Sequence, residues 1–343
     1  MDKFQADDIR RWEELVASAS RVALVSHTHP DGDALGCSTA LAVWLRESRG
    51  KEVACLLPDT PSETLHFMLE PSVRYLFHDT APQAAEAWVQ EADLVVLQDC
   101  NAFSRTEGLS AALAAATAPK VLIDHHLNPD RASFNLVFST PDISSASELL
   151  YWLLVSVEGR ADKLPAACAK ALLTGMTTDT NNFANSVFPS TFRMASELVA
   201  AGVDRDAVVQ QIFNNYRENR VRAMGYMQGE GLRLLPGGGA LMVLTRAIQE
   251  RFDIREGETE GLVNVPLTIG KVRLSILLKE EGNLFRVSIR SKRGTSAQQL
   301  AQRFFHGGGH ENAAGGKVLV GEDIPSAADA PAYVESILKN YLS

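Results

Sequence analysis

The chain is poor in cysteine and places what it has without pattern. Cys37, Cys55, Cys100 and Cys168 are scattered over 343 residues with no CxxC pair, which excludes a zinc-thiolate cluster and offers no disulfide framework. Such usage suits a reducing compartment, and a cytoplasmic protein is expected. No apolar run approaches the ~18 residues of a membrane span. The opening MDKFQADDIRRWEEL is charged where a secretory leader needs an apolar stretch, so no membrane partner is expected. A basic excess is missing as well. The 33 Lys and Arg are outnumbered by 42 Asp and Glu, a formal net charge of −9. The chain as a whole therefore repels polyanions, which excludes long duplex nucleic acid as a partner and requires any phosphate ligand to be met locally.

What is present is the balance of a globular protein, 45% apolar and 22% charged residues, at a length that suits two domains. Up to about residue 205, β-branched runs such as VALV (Val22 to Val25), DLVVLQD (Asp93 to Asp99) and KVLID (Lys120 to Asp124) alternate with helical stretches such as Ser38 to Glu47. This alternation predicts an α/β fold, a parallel sheet covered by helices on both faces. Residues 206–232 are polar and helix-prone and read as a linker helix. Residues 233–343 change texture to short strands, two of them joined across Glu281-Gly282-Asn283, and read as a smaller mixed α+β domain built on hairpins. The PGGGA run at 236–240 reads as a plain hairpin turn.

The most informative segment is SHTHPDGDALG, in which His27, Asp31 and Asp33 follow the strand VALV directly and precede a helix expected to start near Cys37. Pro30 and Gly32 are read as shaping a tight loop that aims both carboxylates at one pocket. A DGD triplet alone is common between a strand and a helix. Here, however, DLVVLQD also ends in an acid, Asp99, and KVLID runs into Asp124, His125 and His126. A fourth segment adds another acid, Asp179, after the apolar stretch Ala166 to Met176. Acids delivered to one sheet edge repel unless cations sit among them. Imidazole and carboxylate without thiolate favour manganese, iron, cobalt or zinc over calcium, with Mn2+ the first choice. Two such ions ~3.5–4 Å apart share a bridging water, lower its pKa and hold a phosphoryl oxygen during in-line attack.

HTHPDGDALG, the acid closing VVLQD, the DHH triplet at 124–126 and TDTNNF together resemble the four motifs of the DHH phosphoesterases, and GGGHENAAGG (Gly307 to Gly316) resembles the glycine-rich motif of the DHH-associated C-terminal domain. The resemblance implies that one metal is held by His27, Asp31 and Asp99 and the second by Asp33, Asp99, His125 and Asp179, with Asp99 bridging. It implies that Asp124 orients its neighbours and that His126 meets the substrate phosphate as hydrogen-bond donor or proton relay. Arg290 and Ser291, with Gly307, Gly308, Gly309 and His310, resemble the family's phosphate-binding residues. They lie in a locally basic stretch, since residues 284–309 carry no acid. Arg286 and Lys292 are better read as solvating charges, and Phe183, Phe304 and Phe305 as core rather than base-stacking residues.

Three positions depart from the family pattern: Cys37 replaces a serine, Asn181-Asn182 replace threonine-glycine, and Gln98 precedes the second acid. None removes a ligand. The substrates implied are short RNA or DNA oligonucleotides, cut to mononucleotides, and 3′-phosphoadenosine 5′-phosphate (pAp), clasped between the two domains. The rivals are a cyclic-dinucleotide phosphodiesterase, an inorganic pyrophosphatase and a nucleotide-binding regulator without activity. A homodimer is left open.

Overall fold

The computed structural model describes residues 4–342. The chain divides into two compact units, one running to Asn215 and the other starting at Tyr216.

The first unit runs α1 (Ala6–Ser18), β1 (Arg21–Val25), α2 (Gly32–Glu47), β2 (Glu52–Leu57), β3 (Arg74–Phe77), α3 (Pro82–Glu91), β4 (Leu94–Gln98), α4 (Ser110–Ala115), β5 (Lys120–Asp124), β6 (Leu136–Ser139), α5 (Ala146–Glu158), α6 (Ala166–Asp179), α7 (Pro189–Ala200) and α8 (Arg205–Phe213). Its six strands form one parallel sheet in the order β3-β2-β1-β4-β5-β6. β1 and β4 are buried almost throughout because both faces are covered. Val22, Leu24 and Val96 pack into a cluster with residues of α1, α2, α5 and α6, whereas Ala23, Val25, Val95 and Leu97 pack with residues of α3 and α4. The period of two along each strand sorts the side chains between these layers. β2 and β3 lie to one side of β1, and β4 to β6 lie to the other. The strand order therefore reverses between β1 and β4, the position where open α/β sheets bind ligands at their carboxyl edge.

The helix expected near Cys37 begins earlier, at Gly32. Asp31 is its N-cap: Oδ1 accepts the amides of Asp33 (3.0 Å) and Ala34 (3.1 Å), satisfying two of the donors exposed at a helix start. Gly32 and Gly36, which look like loop residues, serve helix packing instead. A Cβ on Gly32 would meet the Thr178 side chain at 2.4 Å, and one on Gly36 would meet the Gly175 Cα at 2.7 Å. α2 and α6 thus approach at backbone distance, which a larger residue at 36 would push apart.

The second unit runs α9 (Glu218–Gly229), β7 (Leu232–Leu235), β8 (Gly239–Leu244), α10 (Arg246–Arg251), β9 (Leu274–Glu281), β10 (Leu284–Ser291), α11 (Ala297–Phe304), β11 (Gly308–His310), β12 (Ala313–Leu319) and α12 (Ala330–Tyr341). The sheet order is β11-β12-β10-β9-β8-β7, mixed because β8 and β9 are parallel. Both expected hairpins are present, β7–β8 around Pro236–Gly238 and β9–β10 around Gly282-Asn283. The single linker helix expected over 206–232 is instead two helices, α8 and α9. Asn214, Asn215, Tyr216 and Arg217 separate them with non-helical backbone, where asparagine's weak helix propensity favours a break. Among the described residues no helix is long and apolar enough to cross a membrane.

Candidate metal centre

The carboxyl ends of β1, β4 and β5, with the end of α6, bring six titratable side chains together. His27, two residues past β1, places Nε2 3.4 Å from Asp99 Oδ2 and 3.9 Å from Asp31 Oδ1. Its Nδ1 donates to the Thr28 carbonyl at 2.7 Å, which leaves Nε2 as the ligating nitrogen. His125, just past β5, places Nε2 3.4 Å from Asp99 Oδ1, 3.7 Å from Asp179 Oδ2 and 4.0 Å from Asp33 Oδ2. Asp99 thus presents one oxygen to each imidazole. His27, Asp31 and Asp99 form one group whose candidate ligand atoms all lie within 4.8 Å of one another, and Asp33, His125 and Asp179 form another.

Local structure explains each placement. Asp99 continues the β4–β5 ladder by donating its amide to the Ile123 carbonyl (3.0 Å) and then turns in the left-handed region, φ 51°, a costly conformation for a residue with a Cβ. Asp33, in the first turn of α2, is gripped by a second helix: Oδ2 accepts the Ala146 amide at 2.6 Å and Oδ1 the Ser147 amide at 3.0 Å, both at the N-terminus of α5. Asp179 closes α6, and the close α2–α6 packing brings it to the same edge. Asp124 accepts the His126 amide at 3.1 Å and its Nδ1 at 2.7 Å, so it fixes the ring of His126, whose Nδ1 lies 3.7 Å from Asp99 Oδ1.

The electrostatics call for cations. Burial would lower the pKa of His27 and His125, yet Asp99, with Asp31 for His27 and with Asp179 and Asp33 for His125, raises them to about 9 and about 10. Burial, then the like charge of Asp99, pushes Asp33 up to about 7; burial, then Asp33, pushes Asp179 well above the carboxylate range. Asp99, although buried, is held well below its ordinary value by His125 and His27. Protons thus supply the positive charge this cluster needs, and divalent ions meet the same need. Asp99 Oδ1, buried and accepting no hydrogen bond, keeps a lone pair available to such an ion. Mixed imidazole and carboxylate donors match a transition-metal site.

In the second unit, burial lowers the pKa of Arg290 against the charge of Glu260, and its guanidinium donates to the Ile289 carbonyl. Ser291, expected beside it as a phosphate ligand, is buried with its hydroxyl committed to the Thr295 carbonyl (2.6 Å) and the Asn312 amide (3.0 Å), so it shapes its own loop. The glycine run is also partly structural. A Cβ on Gly307 would meet the Gly315 carbonyl oxygen at 1.9 Å and one on Gly309 the Ala313 carbonyl oxygen at 2.6 Å, whereas one on Gly308 meets nothing within 4 Å. The side chain of His310 lies outside the described residues. Arg286 pairs with Glu281 (3.3 Å) and Lys292 donates to the Ile269 carbonyl (3.0 Å), so both are occupied locally. Phe305 is fully buried and Phe304 packs on the same core, while Phe183 stacks on Phe192 against the first unit's core.

Two of the departures prove to be one feature, since Gln98 Nε2 donates to Cys37 Sγ (3.1 Å) and Cys37 O (3.2 Å). Of the asparagines, Asn181 and Asn182 both take left-handed backbone after α6, and Asn182 accepts from Arg205 at 2.7 Å. Sequence reasoning missed the α5 N-terminus that holds Asp33. Its signal was the capping pattern Ser145-x-x-Glu148, which marks a helix start but not what that start holds.

Residues 21–176 match the DHH family, N-terminal domain, and residues 241–334 the DHHA1 domain. The bifunctional oligoribonuclease and PAP phosphatase NrnA of Thermus thermophilus is 28% identical over 334 residues, 94% of this chain and 93% of that protein. Its Bacillus subtilis namesake is 27% identical over 301 residues, 87% of this chain and 89% of that protein. The crystal structure of an exopolyphosphatase-related protein from Bacteroides fragilis superposes with a TM-score of 0.92 at 33% identity, covering 100% of this chain and 98% of that one. With its acids and imidazoles grouped where a metal-dependent phosphoesterase needs them, the chain belongs to the DHH family, its N-terminal domain followed by a DHHA1 domain.

Proposed function

We propose that the protein hydrolyses short oligonucleotides to mononucleotides, and pAp to AMP and phosphate, with two divalent ions, Mn2+ first among them. The observation that carries this reading is Asp99 standing between the two ligand groups, one carboxylate oxygen toward His27 and the other toward His125. His27, Asp31 and Asp99 would hold one ion, and Asp33, Asp99, His125 and Asp179 the other. When bound, such a pair supplies a water of lowered pKa and Lewis acidity toward a phosphoryl oxygen. The chain's own residues do the rest. Asp124 pins Nδ1 of His126, so hydrogen bonding or proton transfer to the substrate phosphate falls to its Nε2. The α5 amides orient Asp33, and the Thr28 carbonyl orients His27. Arg290, Gly308 and His310 are the residues of the second domain proposed to hold a terminal phosphate, Gly308 because its surroundings are open. The names of the two NrnA relatives support oligonucleotide and pAp substrates.

The test is hydrolysis of a labelled RNA dinucleotide, pAp, cyclic di-AMP and pyrophosphate side by side, with Mn2+ and with a chelator. Turnover of the first two, abolished by the chelator, is expected. Turnover of cyclic di-AMP alone, or of pyrophosphate alone, would replace this reading with that activity, and no turnover at all would favour a binding role.

A further inference from the structure

Glu148 lies in the first turn of α5, fully buried. Its Oε2 accepts from the Ser144 amide (3.1 Å), the Ser144 hydroxyl (2.6 Å) and the Thr191 hydroxyl (2.7 Å), and its Oε1 from the Trp152 indole (3.1 Å). Its own amide is capped by the Ser145 hydroxyl at 3.0 Å. The carboxylate therefore fixes Ser144, and the Glu148 amide holds Ser145, at the turn that leads into Ala146 and Ser147, whose amides grip both oxygens of Asp33. Through Thr191 it also fixes the first turn of α7. That turn closes the segment that leaves α6 at Asp179, since the Thr191 hydroxyl accepts the Phe188 amide at 3.1 Å.

The other ligand group is held differently. His27 is set by the Thr28 carbonyl, Asp31 by the α2 amides it caps, and Asp99 by the Ile123 carbonyl. None of these contacts comes from α5 or α7. We infer that Glu148 is a positioning residue for one ligand group only: it holds Asp33 and the segment beyond Asp179 in place for metal binding with His125, and leaves the His27–Asp31–Asp99 group unaffected. A buried carboxylate taking hydroxyl, indole and amide donors is a rigid clamp, because losing any partner strands a buried polar group. The inference rests on the two-ion reading above.

The test is calorimetric titration of Mn2+ into the full chain, wild type against Glu148→Gln, with Asp33→Asn identifying the step that belongs to the His125 group. Wild type is expected to show two binding steps. Glu148→Gln should weaken the step that Asp33→Asn removes by ~10–100-fold, the range for residues that orient metal ligands, and leave the other step within about twofold. Thr191→Val cuts only the α7 tie and should weaken the same step to a smaller degree; it carries the test should Glu148→Gln not fold. Two steps unchanged in the variant, or both weakened alike, overturn the inference while leaving the two-ion reading intact. A wild type binding fewer than two Mn2+ ions overturns both.

Discussion

Replacing Gly36 with alanine tests whether the close approach of α2 and α6 sets the geometry of the metal centre. The added Cβ would lie 2.7 Å from the Gly175 Cα, 2.8 Å from the Ala171 carbonyl oxygen and 2.9 Å from the Gly175 nitrogen, all backbone atoms that cannot rotate away. Carbon atoms settle at ~3.5–4.0 Å, so α6 must recede by about 1 Å. Asp33 stands three residues before Gly36 and Asp179 four residues after Gly175, about one helical turn from the contact on each side. The recession therefore appears between the two carboxylates that flank His125, now 4.0 and 3.7 Å from its Nε2. A misplacement of ~1 Å at a reacting centre costs on the order of 100-fold in rate. Overpacking costs ~1–3 kcal/mol, and alanine's better helix propensity returns about 1 kcal/mol, for a net loss of ~0–2 kcal/mol. Gly36→Ala should therefore lose activity far out of proportion to stability, read as Mn2+-dependent pAp hydrolysis beside urea unfolding. Gly225→Ala is the control: that helical glycine has nothing within 4 Å of its Cβ position, so the variant should gain ~0.5–1 kcal/mol and keep its rate. A Gly36→Ala protein with more than about a tenth of the wild-type rate would refute the reasoning.

Asp99→Ala removes the carboxylate shared by both groups and should reduce turnover by more than ~100-fold while far-UV circular dichroism stays native. The metal-free protein should lose stability as pH rises. His27 and His125 have folded pKa values of about 9 and about 10, above the ordinary 6.5, so their contribution is complete below 6.5 and disappears through 9–10. Asp33, raised to about 7, acts in the same direction between 4 and 7. Because Mn2+ competes with these protons, the melting-temperature gap between Mn2+ and chelator should widen from pH 6.5 to 9; a gap that narrows would contradict the cluster's role. Gly307→Ala should destabilise the protein by ~1–3 kcal/mol through its clash with Gly315, whereas Gly308→Ala should leave unfolding unchanged, so any activity it loses reports on ligand approach. His310→Ala should raise KM with kcat retained; an unchanged KM would remove His310 from substrate binding.

The sheet was legible because VALV, VVLQ and KVLID are short, apolar and bounded by polar residues, which local rules suffice to read. The start of α2 was not. Gly32, Asp33 and Gly36 carry turn chemistry, and only the presence of α6 against them shows that the glycines serve helix contact. The linker helix failed for the complementary reason. A polar, helix-prone stretch conceals a break at Asn214 and Asn215, with only propensity to mark it. Ser291 was assigned by its resemblance to the family's phosphate-binding residues, yet the strand period of two turns it inward, away from the face of Arg290.

By itself the sequence determined that acids and imidazoles able to ligate metals follow three of the strands, because a parallel strand delivers whatever follows it to the carboxyl edge of the sheet. Tertiary structure alone decided how those residues are held. The α5 amides reach Asp33 across more than a hundred residues, and Asp99 faces His27 with one oxygen and His125 with the other only once β1, β4 and β5 lie side by side. Contacts of that range depend on how helices and strands pack, which the local periodicity of a chain does not encode.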